Sequence, residues 1–386
     1  MIADFPLEDF IELAKKSRRS DDFLKNTISY INKLQSRNYP ILFSLEHLAI
    51  SMGVQSDYLR ILIGEKKDGK PFIQNSRSLL QKKYKYFKIL KKSGANRIIC
   101  APHHDLLFIQ KWIYTNILIN FKPANSCKGF IPNQSIKTNA EVHENADQIL
   151  KIDLLRFFDT ITEKRVYGAF CYLGYKNNLS VSLAKLCTIK HKSIYWNSFS
   201  EFEKAVLNDL FEKKINVLPQ GAPTSPMLAN IVATKMDRRF EKLSKKLNFS
   251  YSRYADDLTF SINSTAILPS IKLIRKIITE EGFFINEDKI RYIKKGKQQI
   301  VTGLSISNGV HTTKKFRKSV MRHIYFCRKF GVEEHLKKQR SKSIHINHNV
   351  ISFHDWLYGN ICFIKSVDKE YGEKLLFQFN KIAWFI

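Results

Sequence analysis

The sequence predicts an α+β fold in which helices occupy both ends and strands are mixed with helices between them. Residues 1 to about 80 place apolar side chains at helical spacing. Strand-like and helix-like segments are mixed from there to about residue 305, and basic, helix-compatible segments follow. The chain has 386 residues, of which 44% are hydrophobic. That is enough to bury a sizeable core, so we expect two or three packed subdomains.

The first predicted elements are helices. In "FSLEHLAISMGVQSDYLRIL", residues 43–62, the apolar positions follow a helical period and Gly53 separates two short helices. A helix-turn-helix is one interpretation, but no feature marks a recognition helix, so a small helical extension is favoured. The next segment, "QKKYKYFKILKK" at 81–92, alternates aromatic residues with lysines. This alternation predicts a strand with a basic exposed face.

Two acidic elements come from separate predicted strands. In "ILKIDLLRFFDTI", residues 149–161, an apolar strand ends at Asp153. In "YSRYADDLTF", residues 251–260, strand-like segments flank a turn that carries Asp256 and Asp257. Neighbouring carboxylates disfavour joint ionisation unless a cation or hydrogen bonds offset their repulsion. The pair therefore predicts a cationic partner.

Three carboxylates that converge from two strands could hold two divalent ions, which lie roughly 3.5 to 4 Å apart in known two-metal sites. Ligands that are all oxygen favour Mg²⁺. Such a site would activate an attacking hydroxyl and stabilise the leaving oxygen of a phosphoryl group. The alternative is an ordinary solvated turn, because aspartate tolerates turn geometry.

A helix start is predicted within "LPQGAPTSPMLAN", residues 218–230. Ser225 followed by Pro226 is typical of a helix N-terminus, and the nearby glycine allows the backbone to approach a nucleotide or strand closely. By itself this pattern would indicate only a capped helix. Its place some thirty residues before the acidic turn makes it far more specific.

The charge balance predicts a polyanionic partner. Lys and Arg number 64 against 35 Asp and Glu, and the net charge of +29 is spread along the chain. Nucleic acid is the simplest partner of that kind. A basic membrane-surface protein is the alternative, but the sequence has neither a signal peptide nor an apolar run long enough to span a bilayer. We therefore expect a cytoplasmic protein without a membrane partner. The six cysteines lack a Cys-x-x-Cys pair and are expected to be reduced, mostly buried thiols.

A series of blocks resembles the reverse transcriptases in order along the chain. The blocks cover roughly residues 80 to 310 and comprise "RIICAPHHDLLFIQKWI" (97–113), "CKGFIPNQSIKTNA" (127–140), the Asp153 strand, "LPQGAPTSP" (218–226), "YSRYADDLTFS" (251–261), "GFFINEDKI" (282–290) and "VTGLSI" (301–306). The resemblance implies a right-hand polymerase. Residues 1–80 would form a helical N-terminal extension, 81–310 the fingers and a palm of antiparallel sheet plus helices, and 311–386 a basic helical thumb that binds RNA or template-primer.

The resemblance also implies the chemistry of the acidic site. Asp153, Asp256 and Asp257 would be the catalytic acids that bind two Mg²⁺ ions, and the Leu154 carbonyl would be a further metal ligand. The reaction would be RNA-templated DNA synthesis from deoxynucleoside triphosphates, with release of pyrophosphate.

Further side chains are implied to bind the incoming nucleotide. Arg97 resembles the arginine that grips the triphosphate, where a forked guanidinium suits phosphate oxygens. Lys91 or Lys92 would assist it, or would simply be solvated. Gln220 resembles the glutamine near the sugar. Lys289 resembles a lysine that approaches phosphates, and one more surface lysine is its alternative.

One of two adjacent phenylalanines resembles a steric gate. Phe158 would stack under the sugar and exclude a 2′-hydroxyl. Its alternative is a core aromatic, a part that we assign to Phe157, because neighbouring strand residues face opposite ways.

Two triplets resemble patterns that mark retron reverse transcriptases. "NAEVH" (139–143) matches Asn-Ala-x-x-His, and "VTG" (301–303) matches Val-Thr-Gly. Alone, the first could be a capped helix start with His143 as a satisfied polar residue, and the second a strand end with a turn glycine. Together they favour a retron enzyme over a group II intron enzyme.

The C-terminal region resembles a polymerase thumb in "FHDWLYGNICFIKSV" (353–367), where a helix would track the minor groove of template-primer. Basic residues accumulate before it, at Lys314, Lys315, Arg317, Lys318, Arg322, Arg328 and Lys329. Such a run is usually a solvated face, but in a thumb it would contact phosphates with strong salt dependence. The Lys/His-rich segment 335–349 is predicted as a loop. Its His345 and His348 could bind a metal ion, although a solvated loop is favoured without a third ligand.

A retron enzyme would recognise its own structured non-coding RNA and prime from a guanosine 2′-hydroxyl in it. The product would be a branched, RNA-linked multicopy single-stranded DNA (msDNA). The resemblance also implies antiphage defence and a separate effector protein. The alternatives are a group II-like or phage-exclusion reverse transcriptase, or a nucleic-acid-binding scaffold with incidental catalysis, against which the three intact aspartates argue.

Overall fold

The computed structural model describes residues 5–67, 70–71, 83–90, 96–213, 215–263, 266–339 and 349–384. The chain divides into two compact units. The first comprises Met1–Phe130, Leu154–Phe240 and Ser270–Asn286, and the second comprises Ile131–Asp153, Glu241–Pro269 and Glu287–Ile386. The predicted domain boundaries near residues 80 and 310 stay a prediction.

The described helices and strands are mixed in the middle of the chain, as predicted. The helices are α1 (Leu7–Lys16), α2 (Asp21–Gln35), α3 (Leu45–Met52), α4 (Ser56–Leu62), α5 (His104–Asn116), α6 (Ile136–Glu141), α7 (Glu163–Leu173), α8 (Asn177–Cys187), α9 (Ser193–Trp196), α10 (Glu201–Val206), α11 (Asn208–Lys213), α12 (Ser225–Leu247), α13 (Ile271–Glu280), α14 (Lys314–Phe330), α15 (Val332–Gln339), α16 (Val350–Val367) and α17 (Lys369–Phe379). The strands are β1 (Lys66–Lys67), β2 (Lys70–Pro71), β3 (Tyr84–Leu90), β4 (Asn96–Pro102), β5 (Gln148–Asp153), β6 (Ser250–Tyr254), β7 (Asp257–Ile262), β8 (Arg291–Lys294), β9 (Ile300–Val301), β10 (Leu304–Ser305) and β11 (His311–Thr312).

The first unit begins with the four helices α1 to α4. Gly53 ends α3 with a φ of 68°, a left-handed conformation that glycine adopts at little cost, so the predicted break is confirmed. Further along, β3 pairs with β4 in an antiparallel ribbon, which confirms the strand predicted within 81–92. Lys91 and Lys92 lie outside the described residues. The helix predicted near Ser225 and Pro226 begins at Ser225.

An antiparallel four-stranded sheet, in the order β6-β7-β5-β8, forms the centre of the second unit. Its strand β7 pairs with β6 on one edge and with β5 on the other, and it is buried from Leu258 to Ile262. A small sheet of β11, β10 and β9 packs with α6 in the same unit. Their shared core includes Ala140, Ile149, Val301 and Leu304.

Helices α14 to α17 form a second core in this unit. Buried residues that include Ile324, Phe353, Leu357 and Ile361 fill it. The predicted loop at 335–349 is wrong for its first part, because α15 continues to Gln339. Val332 and Leu336, four residues apart, are buried against the helical core, and this apolar contact outweighs the basic composition. His345 and His348 lie outside the described residues.

Of the six cysteines, four are buried, namely Cys100, Cys127, Cys187 and Cys327. The expectation of mostly buried thiols is confirmed for these positions. Within the described ranges, no helix combines the length and the apolar character needed to cross a membrane.

Candidate active site

The turn between β6 and β7 presents Asp256 and Asp257. Tyr254 pairs with Asp257 across the hairpin, which leaves Ala255 and Asp256 as a two-residue turn. Ala255 has a φ of 57°, as tight hairpin turns require, although alanine adopts this conformation only at a cost. The fully buried Arg253 donates a hydrogen bond from Nη1 to the Ala255 carbonyl at 3.0 Å. This contact stabilises the strained turn.

The pairing of β5 with β7 adds the third carboxylate. Asp153, the last residue of β5, lies directly opposite Asp257. Directly opposed residues have Cβ atoms about 4.5 to 5.5 Å apart and point to the same face of the sheet. The register therefore brings Asp153 and Asp257 together, with Asp256 next to them in the turn.

A lysine neutralises part of this acidic group. The 3-10 helix Glu287–Lys289 precedes β8, which pairs with β5 on its other edge. The Lys289 ammonium donates hydrogen bonds to both carboxylate oxygens of Asp153, at 2.8 and 2.9 Å. Lys289 thus lies beside Asp153 and its contact is a carboxylate, so its predicted approach to phosphates stays a prediction.

Burial and mutual repulsion make the carboxylates hard to ionise. Burial, followed by the charges of Asp153 and Asp257, raises the pKa of Asp256 to about 6. Burial is also the largest cause that raises the pKa of Asp257; Asp153 adds to the rise, and Lys151 and Lys289 oppose it. Both shifts mean that additional positive charge would stabilise the ionised group.

The carboxylate oxygens of the site are the type of ligand that a hard divalent cation binds. A small cavity of about 220 Å³ is lined by Asp153 and Asp257 together with Lys151, Lys289 and Arg291. Its carboxylates could bind a metal ion, and its basic side chains could bind phosphates. Within the described part of the chain, no three or more His, Cys, Asp or Glu side chains are already grouped to hold a metal ion. Lys289 donates to both oxygens of Asp153, so a metal ion at this carboxylate would have to compete with it.

The predicted site residues are divided between the two units. The first unit contains Arg97, Gln220 and Phe158, and the second contains the three aspartates and Lys289. Arg97 is exposed on β4. The Gln220 carbonyl accepts a hydrogen bond from the Cys100 N–H at 2.7 Å, which fastens its loop to the same strand. Gly221 follows with a φ of 119°, and a Cβ there would lie 2.8 Å from Ile99 Cγ2. Glycine at this position therefore permits the close contact.

The two adjacent phenylalanines differ in burial. Phe157 is 2% exposed and its ring centroid lies 5.4 Å from that of Phe283, so its predicted core role is confirmed. Phe158 is half-buried, with its ring 6.4 Å from the exposed Phe130. Leu154 is buried and forms an isolated antiparallel bridge with Ile285. The gating role of Phe158 and the metal contact of the Leu154 carbonyl stay predictions.

Comparison with known proteins assigns the family. Residues 89–306, more than half of the chain, match the reverse transcriptase (RNA-dependent DNA polymerase) family. Over 357 residues the chain is 30% identical to the retron Ec86 reverse transcriptase of Escherichia coli, an alignment that covers 90% of this chain and 97% of that protein. The chain belongs to the retron reverse transcriptases. This confirms the resemblance to retron reverse transcriptases, the α+β right-hand polymerase fold and the class of RNA-directed DNA polymerase.

Other similarities are partial. The retron Mx162 reverse transcriptase of Myxococcus xanthus is 33% identical over 235 residues, which cover 58% of this chain and 47% of that protein. The alignment thus spans about half the length of that relative. A solved structure of apo telomerase from Candida tropicalis has 13% identity and a TM-score of 0.41, and covers 78% of this chain and 58% of that chain.

Three site residues of this reverse transcriptase were missed in the sequence. Lys151 and Arg291 line the cavity beside Asp153, and Arg253 holds the aspartate turn. Lys151 stands two residues before Asp153 in the same strand, so period-two alternation alone could have placed it on the acidic face. The position of Arg291 depends on the pairing of β8 with β5, which no local pattern shows.

The retron triplet "NAEVH" lies at the end of a helix. Helix α6 begins after Ser135, whose side chain forms a capping box with Thr138. The alternative interpretation of the triplet is therefore wrong about the helix start, which is capped four residues earlier at Ser135. Its second part, His143 as a satisfied polar residue, agrees with the hydrogen bonds of that side chain. The triplet "VTG" does contain a strand end and a turn, because Val301 ends β9 and Gly303 has a φ of 84°.

Buried and partly buried hydrogen bonds link both triplets to the aspartate hairpin. His143, 1% exposed, contacts Ser261 Oγ of β7 through Nδ1 at 2.6 Å and Ser252 Oγ of β6 through Nε2 at 2.7 Å. Ser252 donates to Asn139 Oδ1 at 2.7 Å, and Asn139 Nδ2 donates to Thr302 Oγ1 at 3.4 Å. Burial lowers the pKa of His143 to about 3, so the ring is neutral. The triplets thus connect both strands of the hairpin to the β9–β10 turn.

Proposed function

We propose that this retron reverse transcriptase copies part of a cognate structured non-coding RNA into msDNA. The primer is a guanosine 2′-hydroxyl within that RNA, so the DNA stays joined to the RNA through a branch. The main support is the placement of Asp153 opposite Asp257, with Asp256 in the adjoining turn, in a chain of this family.

In this proposal the three aspartates and the Leu154 carbonyl hold two Mg²⁺ ions. When bound, the ions favour ionisation of the priming hydroxyl and stabilise the charge on the leaving pyrophosphate oxygen. Arg253 and the strained Ala255 fix the turn, so Asp256 and Asp257 are positioned before any ligand binds. Positioned groups of this kind avoid reorganisation during the reaction.

The remaining predicted residues bind the deoxynucleoside triphosphate. Arg97 and Lys289 contact phosphate oxygens, and the exposure of Arg97 on β4 leaves its guanidinium accessible. Lys289, which contacts Asp153 in the structure, would contact a phosphate instead, and Asp153 would then be available as a metal ligand. Gln220 lies near the sugar, and Phe158 excludes a 2′-hydroxyl. The half-buried position of Phe158 is compatible with a ring that has one free face.

The biological role in this proposal is antiphage defence in the cytoplasm. The enzyme, its RNA and its msDNA would form a complex with a separate effector protein. The excess of basic residues supports a stable complex with nucleic acid, because each phosphate contact releases counterions.

The test is a characterisation of nucleic acid that copurifies with the protein from its native host locus. The nucleic acid is extracted and treated with RNase or with a debranching enzyme. A small DNA joined to RNA through a debranchable link supports the proposal, provided that it is absent when Asp256→Asn and Asp257→Asn are introduced together. A DNA product that never carries a branch would instead indicate a group II-like or phage-exclusion enzyme. RNA without any DNA would indicate a scaffold.

A further inference from the structure

A basic cavity of about 1030 Å³ lies in the second unit, at the N-terminus of α14. We propose that it binds backbone phosphates of RNA, away from the cavity that contains Asp153 and Asp257. The two cavities have no lining residue in common. The proposal rests on the proposed function only in taking RNA as the polyanion.

The charge of the cavity favours an anion. Its cationic lining residues are Lys295, Lys297, Lys314 and Arg317, and the described lining includes no Asp or Glu. Lys295 pairs with Asp147 at 2.9 Å and Arg317 lies 3.9 Å from Asp368. Among the described side chains, neither Lys297 nor Lys314 forms a salt bridge, and both are exposed. These two lysines are therefore available to a ligand.

Hydrogen-bond donors in the cavity add to the charge. Thr312 lines it and is 1% exposed, yet its hydroxyl has no partner within the described chain. A buried hydroxyl left without a partner costs free energy that a bound acceptor would recover. The next residue, Thr313, caps the 17-residue helix α14. The first-turn N–H groups of such a helix, together with its dipole, favour a phosphate.

Hydrogen bonds hold the walls of the cavity in place. Asn145 donates its N–H to the Ile306 carbonyl and accepts from the Asn308 N–H through Oδ1, both at 2.9 Å. Gln299 Nε2 donates to the Ala146 carbonyl at 2.8 Å. His311 Nδ1 lies 3.2 Å from Asp368 Oδ2. The site is thus built before a ligand arrives, which lowers the entropic cost of binding.

The lining favours a phosphate and sugar backbone over a base. The described lining includes no Phe, Tyr or Trp on which a base could stack, whereas single-stranded bases are typically read by such stacking. Ser305, Ser307 and Asn308 can hydrogen-bond to a ribose 2′-hydroxyl. We therefore expect binding that depends on the backbone and little on the sequence.

The test compares RNA binding by two charge-matched variants. Lys297→Ala with Lys314→Ala removes the unpaired cavity lysines, and Lys15→Ala with Lys25→Ala removes two exposed lysines of α1 and α2. The probe is a labelled RNA hairpin of arbitrary sequence, titrated over a range of salt concentrations. Each lost phosphate contact lowers the slope of log K against log salt by about 0.7 to 0.9. We expect the cavity variant to lose roughly 1.5 units of slope and at least about tenfold in affinity near 0.15 M salt.

A second pair of variants tests the cavity itself. Lys297→Arg with Lys314→Arg keeps the charge and should retain the affinity. Thr312→Val removes the unpaired hydroxyl at nearly constant volume, so it should weaken RNA binding without lowering the melting temperature of the free protein. Equal RNA affinity for the cavity variant and the N-terminal control would overturn the proposal.

Free phosphate is the other source of the same chemistry. To test for it, the melting temperatures of the natural protein and of the cavity variant are measured in potassium phosphate and in potassium chloride at equal ionic strength. Stabilisation by phosphate that the cavity variant loses, without a difference in RNA binding from the control, would assign the site to a small phosphate compound and contradict the RNA proposal. If no branched DNA copurifies with the protein, the proposed function is refuted, but the comparison of RNA binding between the two lysine variants still tests the cavity.

Discussion

At the scale of single residues, Lys289 is the side chain whose role the structure sharpens most. It forms two hydrogen bonds to Asp153 and opposes the raised pKa of Asp256. Replacing Lys289 with Met removes the cation and, in our proposal, a phosphate contact. We expect kcat/KM for deoxynucleotide incorporation to fall roughly hundredfold, mainly through KM. Steady-state incorporation on a primed homopolymer RNA measures this.

The matched control is Lys289→Arg, which keeps the positive charge at the same position. It should recover most of the activity, because a guanidinium also binds carboxylates and phosphates. Incorporation by Lys289→Met within twofold of the natural protein would show that Lys289 is only one more surface lysine.

A second residue-scale prediction concerns His143 and pH. Its pKa is about 3 in the folded protein, against an ordinary value of 6.5, because burial disfavours the charged ring. The unfolded chain therefore binds a proton below pH 6.5 that the folded chain does not bind until about pH 3. Stability is fully present above pH 6.5 and falls as the pH drops. Between pH 7.5 and 5 this residue accounts for a loss of about 2 kcal/mol in the free energy of unfolding.

His143→Gln isolates that contribution, since glutamine keeps a donor and an acceptor but does not titrate. Urea unfolding at pH 7.5 and 5 should show a smaller pH-dependent loss in the variant than in the natural protein. The buried His191, whose pKa burial also lowers, is present in both proteins and cancels in the comparison. An equal loss in both proteins would mean that His143 is not buried as described.

At the scale of elements, local patterns predicted what depends on local chemistry. The acidic hairpin, the strand that ends at Asp153 and the helix start at Ser225 each carried a recognisable signal in neighbouring residues. The exception was α15, where basic and polar residues suggested a loop. Its helical state depends on burial of Val332 and Leu336 against partners from other helices.

The contacts between elements could not be predicted from the sequence, because they depend on the register in which the strands pair. Nothing near Asp153 shows that it faces Asp257, or that Lys289 reaches both of its oxygens. The serines that flank the aspartate turn gave no sign that they contact His143, because the residues are more than one hundred positions apart. The roles proposed for these residues therefore come from the family resemblance, whereas their distances and contacts come from the strand pairing.

The contact between the Gln220 loop and β4 leads to an element-scale prediction. Gly221→Ala would place a Cβ 2.8 Å from Ile99 Cγ2 and 3.1 Å from the Cys100 carbonyl oxygen, at a φ of 119°. The loop must shift, and it carries with it Gln220, which our proposal places near the sugar of the deoxynucleotide. We expect KM for the deoxynucleotide to rise at least about tenfold, since small displacements in a site are costly.

Gly168→Ala is the control for that change. Gly168 lies within α7, and nothing lies within 4 Å of a Cβ built on it. Alanine should raise helix stability by up to about 1 kcal/mol and leave KM unchanged. Equal KM values for both variants would show that the loop tolerates the shift without affecting nucleotide binding.

At the scale of the whole molecule, the net charge of +29 is the dominant property. On α14 the apolar stripe of Val320, Ile324 and Cys327 is buried. The basic residues of the helix other than Arg317 are exposed, namely Lys314, Lys315, Lys318, Arg322, Arg328 and Lys329. The same amphipathic pattern that folds the helix thus exposes a row of cations. This arrangement supports the predicted contact between the thumb and nucleic acid phosphates.

The exposed face of α14 gives the last prediction. Lys318→Gln with Arg322→Gln removes two charges from exposed positions that the helical core does not use. We expect affinity for a primed RNA template to fall at least about fivefold near 0.15 M salt, and the slope of log K against log salt to fall by about 1.5 units. Melting temperature should change little, because neither side chain is buried. Processivity should fall in parallel, since a polymerase that releases its duplex more readily extends fewer nucleotides per encounter. A variant that binds RNA as the natural protein does, with an unchanged slope, would mean that this face is solvated and that RNA is held elsewhere.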